Sequence, residues 1–350
     1  MKAVLFCYHP YAFGILKPLS DQLAGAGCET VWYLRETIED EFSFAAEVNY
    51  TTSIGALIRF KPDAVFVPGN EVPYYLNGVK VQIFHGLAGE KKGHFRVRDY
   101  FDLYLTQGPY FTRRFNEMAQ KHKNFDVIET GWSKLDPLFT STHCYDDEKQ
   151  QLLTAADANK IVLYAPTFSP SLTSAPYIID EIEKIANDGR FLVLIKYHDL
   201  MCTKTQELYQ RRLENNKRVH IVKESNILKY LIVSDLLISD TSSAIYEFML
   251  LNKPVITFRS SSRNILWNDV KEPVKVYSEL LNTFENDNFR DNRRKIIDEY
   301  HPYSDGKSSQ RMITAVEQYI GKKGVPCERK LNLYRRWKIN RMFGLKSGNE

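Results

Sequence analysis

The sequence predicts an α/β protein made of two doubly wound, Rossmann-like domains with an interdomain cleft. Three observations carry that expectation. Short β-branched or aromatic runs alternate with amphipathic stretches along most of the chain, the mark of βαβ units around a parallel sheet. The alternation lapses once, in the polar stretch 140–158, and then begins again. With 350 residues, 43% apolar and 26% charged, the composition is globular and the length suits two cores of the usual ~100–200 residues.

The first series opens with a strand at Ala3–Tyr8, followed by strands at Thr30–Leu34, Ala64–Val67, Val81–Phe84, Leu103–Thr106 and Asp126–Glu129. Helices are expected at Phe13–Ala26, Ser53–Phe60 and Pro109–Lys121. The second series has strands at Ile161–Ala165, Phe191–Tyr197, Val219–Val222, Leu236–Ser239 and Val255–Phe258. Its helices fall near Tyr177–Asn187, Thr203–Asn215, Asn226–Val233 and Ser243–Leu251. The expected domains are therefore 1–140 and 159–320, with 321–350 left as a basic, aromatic tail.

Composition narrows the function. A net charge of +4 tolerates anionic substrates but lacks the concentrated basic face that nucleic acid requires. The five cysteines are scattered and form no C-x-x-C pair. They suggest neither a disulfide framework nor a zinc site, and point to a reducing, cytoplasmic setting. Met1 to Tyr8 is too short for a signal-peptide core and reads as a strand. No stretch reaches the ~20 apolar residues of a membrane span; the nearest, Leu228 to Ile238, is interrupted by Lys229, Ser234 and Asp235. No D-x-D motif stands at a strand end, and Asp146-Asp147 reads as solvated linker charge. Neither a metal nor a cofactor is required. The absence of G-x-G-x-x-G and G-x-x-x-x-G-K-[ST] removes the main support for dehydrogenase and P-loop readings.

Ligands of doubly wound sheets bind beyond the carboxyl ends of the strands, and several polar clusters fall there. Ser239-Asp240-Thr241-Ser242-Ser243 lies between an apolar strand and a helix start, where hydroxyls and free backbone N–H groups bind anions. A plain helix cap needs only one such residue, so phosphate binding is the favoured reading. Glu247, one turn on, suits ribose or polyol hydroxyls, the alternative being a solvated surface glutamate. His85-Gly86 follows a strand and precedes the basic loop Glu90-Lys91-Lys92-Gly93-His94-Phe95-Arg96-Val97-Arg98. Histidine exchanges protons near neutral pH, and glycine permits a sharp turn or a close approach. His198, in Lys196-Tyr197-His198-Asp199, mirrors His85 in the second series. His9 ends the first strand, and Pro166-Thr167-Phe168-Ser169 follows Ala165. The remaining histidines are expected to be structural or superficial.

Taken in order, these motifs resemble the CDP-glycerol glycerophosphotransferase family, which includes teichoic-acid glycerol- and ribitol-phosphate transferases of GT-B fold. The resemblance rests on His85-Gly86 to Gly93, T-G-W-S-K-L-D (Thr130 to Asp136), V-L-Y-A-P-T-F (Val162 to Phe168) and Ser234 to Ile256. Asp305 to Arg311 adds the stretch that closes the family's catalytic domain. The chain departs from the family pattern with Leu87-Ala88 after H-G, Thr241 after the aspartate, and Glu247 in place of aspartate.

The resemblance implies that His85 and His198 are essential, that Asp240 to Ser243 bind donor phosphates, and that Lys196 and Arg311 help. It also implies a CDP-polyol donor and a glycan or lipid-linked acceptor, with CMP released. The alternatives are a GT-B nucleotide-sugar glycosyltransferase or epimerase, and a binding module that does no chemistry.

The tail 329–346 carries seven basic residues and no acid. Stepping ~100° per residue puts Leu331, Tyr334, Ile339, Met342 and Leu345 on one face. This suits either a helix docked on the protein itself or an anionic inner-leaflet surface of the cytoplasmic membrane.

Overall fold

The computed structural model describes residues 1–87, 94–141, 143–224, 227–262 and 265–344. The chain forms two compact units, Met1–Phe139 with Tyr300–Glu350, and Thr140–Glu299.

The first unit is built on a seven-stranded sheet ordered β3-β2-β1-β4-β5-β6-β7. Its strands are β1 (Lys2–Cys7), β2 (Glu29–Leu34), β3 (Tyr50–Thr51), β4 (Ala64–Val67), β5 (Val79–Gln82), β6 (Leu103–Thr106) and β7 (Asp126–Glu129). Every pairing is parallel. Strands covered on both faces read as continuous apolar runs, and β4 and β6 are buried along their whole length. Helices α1 (Phe13–Gly25), α2 (Ile54–Phe60) and α3 (Pro109–His122) follow β1, β3 and β6. From β1 the strand order runs one way to β3 and the other way to β7, so the switch point lies between β1 and β4. The strand expected at Val81–Phe84 is displaced because Phe84 takes φ +61°, which an extended strand cannot continue.

Beyond α4 (Asp136–Thr140), the second unit holds a six-stranded parallel sheet ordered β10-β9-β8-β11-β12-β13. Its strands are β8 (Lys160–Tyr164), β9 (Phe191–Lys196), β10 (Val219–Val222), β11 (Leu236–Ser239), β12 (Val255–Phe258) and β13 (Asn268–Val270). The helices are α5 (Asp146–Ala156), α6 (Ile179–Asn187), α7 (Thr203–Leu213), α8 (Leu228–Val233), α9 (Ala244–Leu250), α10 (Val276–Glu285) and α11 (Arg290–Tyr300). The polar stretch expected as a linker is thus largely helix. Asp146, Asp147 and Glu148 occupy the first turn of α5, where negative charge complements the helix dipole. Lys149 bonds Asp235 at 2.7 Å and Glu148 accepts from Lys229 at 2.9 Å, tying α5 to its own unit.

The end of the chain differs most from expectation. The segment from Tyr300, carrying α12 (Ser308–Lys323) and α13 (Leu333–Phe343), belongs to the first unit, not to a second domain reaching residue 320 with a separate tail. The Thr130–Asp136 motif receives it. Asp136 caps α12, its two carboxylate oxygens accepting from Ser308 N at 2.8 Å and Ser309 N at 2.7 Å, a cap worth ~1 kcal/mol or more. Gly131 has φ +83°, and a Cβ there would collide with Ser308. His301 Nε2 accepts from Trp132 N at 3.1 Å.

Helix α13 is docked by its own protein. Ile339 is fully buried in the core of the first unit, and Phe343 packs edge-on against Phe6. Arg329 pairs with Asp102, Arg335 with Asp99, and Lys338 with Glu71. Tyr334, expected on the packed face, instead points outward with Leu333 and Trp337, at 70%, 82% and 56% exposure. Among the described residues no helix is long and apolar enough to cross a membrane.

Candidate active site

In the first unit the ends of β1, β4 and β5 bring His9, Pro68 and His85 to the switch point. His85 Nδ1 lies 3.0 Å from the carbonyl oxygen of Pro68. A carbonyl only accepts, so Nδ1 carries the proton and the neutral ring presents Nε2 as an acceptor. Tyr11 stands between the two histidines, with ring centroids 5.3 Å from His9 and 5.2 Å from His85. The glycine after His85 does not make the turn, because the left-handed residue is Phe84. A Cβ at Gly86 would meet nothing within 4 Å, so its contribution is open space beside the histidine. Beneath it, buried Gln107 donates to the Gly86 carbonyl at 3.1 Å. His94 stacks on Phe84, and burial lowers its imidazole to a pKa of about 4. Lys91 and Lys92 lie outside the described residues.

In the second unit His198 stands two residues beyond β9. Its Nδ1 accepts from the backbone N–H of Leu200 at 3.2 Å. The neutral ring therefore carries its proton on Nε2, the reverse of His85. Burial lowers the pKa of His198; Asp199 opposes that shift and Lys196 adds to it. Phe168 packs on the ring at 4.4 Å between centroids. Lys196 is buried, with Nζ donating to the Tyr197 carbonyl at 2.7 Å and 3.6 Å from Asp199. A depression of about 700 Å³ beside His198 is lined by Lys196, Gln206, Gln210, Arg211, Ile221 and Lys223.

Four polar residues between β11 and α9 have distinct tasks. Asp240 is fully buried. Its carboxylate accepts from the backbone N–H groups of Thr167, Ser174 and Thr241 and from the Ser174 hydroxyl, at 2.6–3.2 Å. It pins the loop after β8 to the loop after β11, and its oxygens are already satisfied. Thr241 Oγ1 accepts from Ser261, and Ser242 Oγ from Ala244 N at 3.2 Å. The Ser243 hydroxyl makes no hydrogen bond among the described residues, and α9 runs for only seven residues. Glu247 is 5% exposed, which disposes of the solvated alternative.

Arg311 belongs to the first unit. It sits on α12 in the first unit, donating to the Thr130 carbonyl at 2.8 Å and to Asp305 at 2.9 Å, over the ring of Tyr303. These partners hold the guanidinium in place within the first unit. Reading the sequence missed the Pro68 carbonyl, the Tyr11 ring and the scaffold duties of Asp136 and Asp240. Position at a strand end marks Pro68, whereas no local pattern separates a carboxylate bound by backbone from one awaiting a ligand. Among the described residues no group of three or more His, Cys, Asp or Glu side chains is gathered for a metal ion.

Comparison with known proteins places the chain. The family described as CDP-glycerol:poly(glycerophosphate) glycerophosphotransferase matches residues 79–318. The teichoic acid ribitol-phosphate polymerase TarL of Staphylococcus aureus is 27% identical over 269 residues, covering 67% of this chain and 46% of TarL. The teichoic acid glycerol-phosphate primase of Bacillus subtilis is 25% identical over 230 residues, covering 60% of this chain and 58% of the primase. The chain thus spans about half the length of the curated relatives it matches. Among solved structures, the wall teichoic acid polymerase TagF matches with a TM-score of 0.67 at 17% identity, over 92% of this chain and 89% of that one. An assigned UDP-N-acetylglucosamine 2-epimerase of Listeria monocytogenes matches with a TM-score of 0.68 at 14% identity, over 95% and 99%. These two likenesses establish a shared fold of paired parallel sheets. The match over residues 79–318 does more: the chain belongs to the CDP-glycerol:poly(glycerophosphate) glycerophosphotransferase family.

Proposed function

We propose that this chain transfers a polyol phosphate from a CDP-activated polyol to a hydroxyl of a glycan or lipid-linked acceptor in surface-polymer synthesis. The observation that carries the reading is the opposite tautomer of two histidines, each just past a strand end, in a chain of this family. His85 Nε2 accepts the proton of the acceptor hydroxyl as its oxygen attacks the phosphorus bearing the polyol. The bond from that phosphorus to the bridging oxygen breaks, and CMP leaves with the electron pair. His198 Nε2–H donates a hydrogen bond to a phosphate oxygen, stabilising charge as it develops. Thr241, Ser242 and Ser243 supply further donors to the donor phosphates, and Glu247 receives ribose or polyol hydroxyls. Asp240 and Thr167 hold that loop in shape. Positioning and charge stabilisation of this kind carry most phosphoryl transfers.

TagF has been solved as a histidine-to-asparagine variant soaked with CDPG, which supports choosing CDP-polyols as first substrates. The test is CMP release from CDP-glycerol or CDP-ribitol, dependent on acceptor. Turnover with a UDP-sugar and none with either CDP-polyol would overturn the reading.

We also propose that the outer face of α13 rests on an anionic, inner-leaflet membrane. Leu333, Tyr334 and Trp337 are exposed there, with Lys330, Arg336 and Arg341 exposed around them; each such charge is worth ~1 kcal/mol near anionic lipid. Because α13 is docked, the informative variant is Leu333→Ser with Trp337→Ser. Unchanged sedimentation of that variant with anionic vesicles would remove the membrane role.

A further inference from the structure

Neighbouring ends of β4, β5 and β6 supply Pro68, His85 and Gln107. The chain leaves β5 with Ile83 N donating to the Val67 carbonyl at 3.1 Å, then turns through Phe84 at φ +61°. A bulky residue seldom takes that conformation, and it persists only where its surroundings hold it. Here Phe84 is buried against Tyr104, Phe115 and His94, with ring centroids 4.9–6.1 Å away. His85 comes next, exposed, with Nδ1 on the Pro68 carbonyl. On its far side the Gly86 carbonyl accepts from Gln107 Nε2 at 3.1 Å.

Gln107 directly follows β6 and is fully buried. Its Oε1 has no hydrogen-bond partner among the described residues. Burying an unpaired amide oxygen is unfavourable, and an apolar side chain of similar size would avoid that penalty. The amide is therefore explained by its N–H, whose acceptor is the backbone beside His85. We infer that Gln107 is a positioning residue, which fixes the Gly86 carbonyl and thereby keeps His85 Nδ1 on Pro68 and Nε2 free to accept. The inference rests on the proposed role of His85 as the base. Phe84 clamps the backbone before the histidine, and Gln107 clamps it after. A base held on both sides meets the acceptor hydroxyl in one orientation, whereas a loose ring loses rate to misalignment.

Gln107→Met nearly keeps the side-chain volume and removes the N–H donor. Nitrogen NMR of the full chain, labelled on both histidine ring nitrogens, reads the consequence without turnover. At pH 7.5 we expect one His85 tautomer in the wild-type chain and a mixture of both in Gln107→Met, with His198 undisturbed. In kinetics, kcat should fall by roughly tenfold while the donor KM stays within about twofold of wild type. Three results overturn the inference: wild-type His85 shifts in a folded variant, an equal disturbance at His198, or a raised donor KM with kcat intact. If Gln107→Met fails to fold, Gln107→Leu is read in the same way. In the wild-type chain, a Gln107 side-chain amide that exchanges its protons as fast as an exposed one overturns the inference outright. Failure of every CDP-polyol to turn over counts against the proposed transferase activity alone, because the ring shifts are read without substrate.

Discussion

The ends of β5 and β9 invite comparison because they solve the same problem with opposite chemistry. Both place a histidine just past a buried parallel strand. At the first, Nδ1 faces a carbonyl, Pro68 O; at the second it faces an N–H, that of Leu200. One backbone group, accepting in one unit and donating in the other, leaves Nε2 an acceptor in neutral His85 and a donor in neutral His198. Equivalent positions in a repeated fold therefore do not imply the same hydrogen-bonding tautomer.

The largest expected effects test that division. His85→Ala should lower kcat by roughly a thousandfold, with donor affinity intact, as removal of a general base does. His198→Ala should cost about a hundredfold and weaken the donor as well. Steady-state kinetics and donor calorimetry read both, and matching profiles for the two variants would erase the distinction.

Next in size is an acid sensitivity located in the first unit. Burial lowers His94 and His301 to about 4 from an ordinary 6.5. Below pH 6.5 the unfolded chain binds these protons and the folded chain does not. The stabilisation is complete above pH 6.5 and is lost as pH falls towards 4, at about 3 kcal/mol per histidine. Urea unfolding at pH 7 and pH 4.5 should show the decline, and His301→Phe should flatten it. A slope unchanged by that substitution would contradict the assignment.

The smallest effects separate scaffold from ligand contact in the loop before α9. Asp240→Ala leaves buried N–H groups unpaired and should cost ~2 kcal/mol of stability or more. Ser242→Ala with Ser243→Ala should leave stability nearly unchanged and weaken donor binding by roughly tenfold or less. The reverse pattern would make Asp240 a donor contact.

Both sheets were legible in the sequence apart from their short edge strands β3 and β13, because buried parallel strands appear as short apolar runs that few other structures produce. The strand-end histidines were legible for the same reason, since a strand's end fixes where its next residue stands. The helix at Asp146–Ala156 was not, because only Ala156 among its residues is buried and a weakly apolar helix looks like a linker. Nor was the return of residues 300–350 to the first unit. It depends on Asp136 meeting Ser308 and on Gly131 making room for it, contacts across more than 170 positions that no periodicity records. The Arg311–Asp305 pair was likewise not marked by any periodicity. The tautomers themselves were invisible, because they depend on which backbone group a loop turns towards the ring.

Nitrogen NMR of the resting protein reads the opposed protonation of His85 and His198 at the ring atoms themselves. With histidine labelled on both ring nitrogens, and His85→Gln and His198→Gln used for assignment, the shifts at pH 7.5 report which nitrogen bears the proton. Protonation is expected at Nδ1 in His85 and at Nε2 in His198. The same tautomer in both rings, or the two reversed, would contradict it.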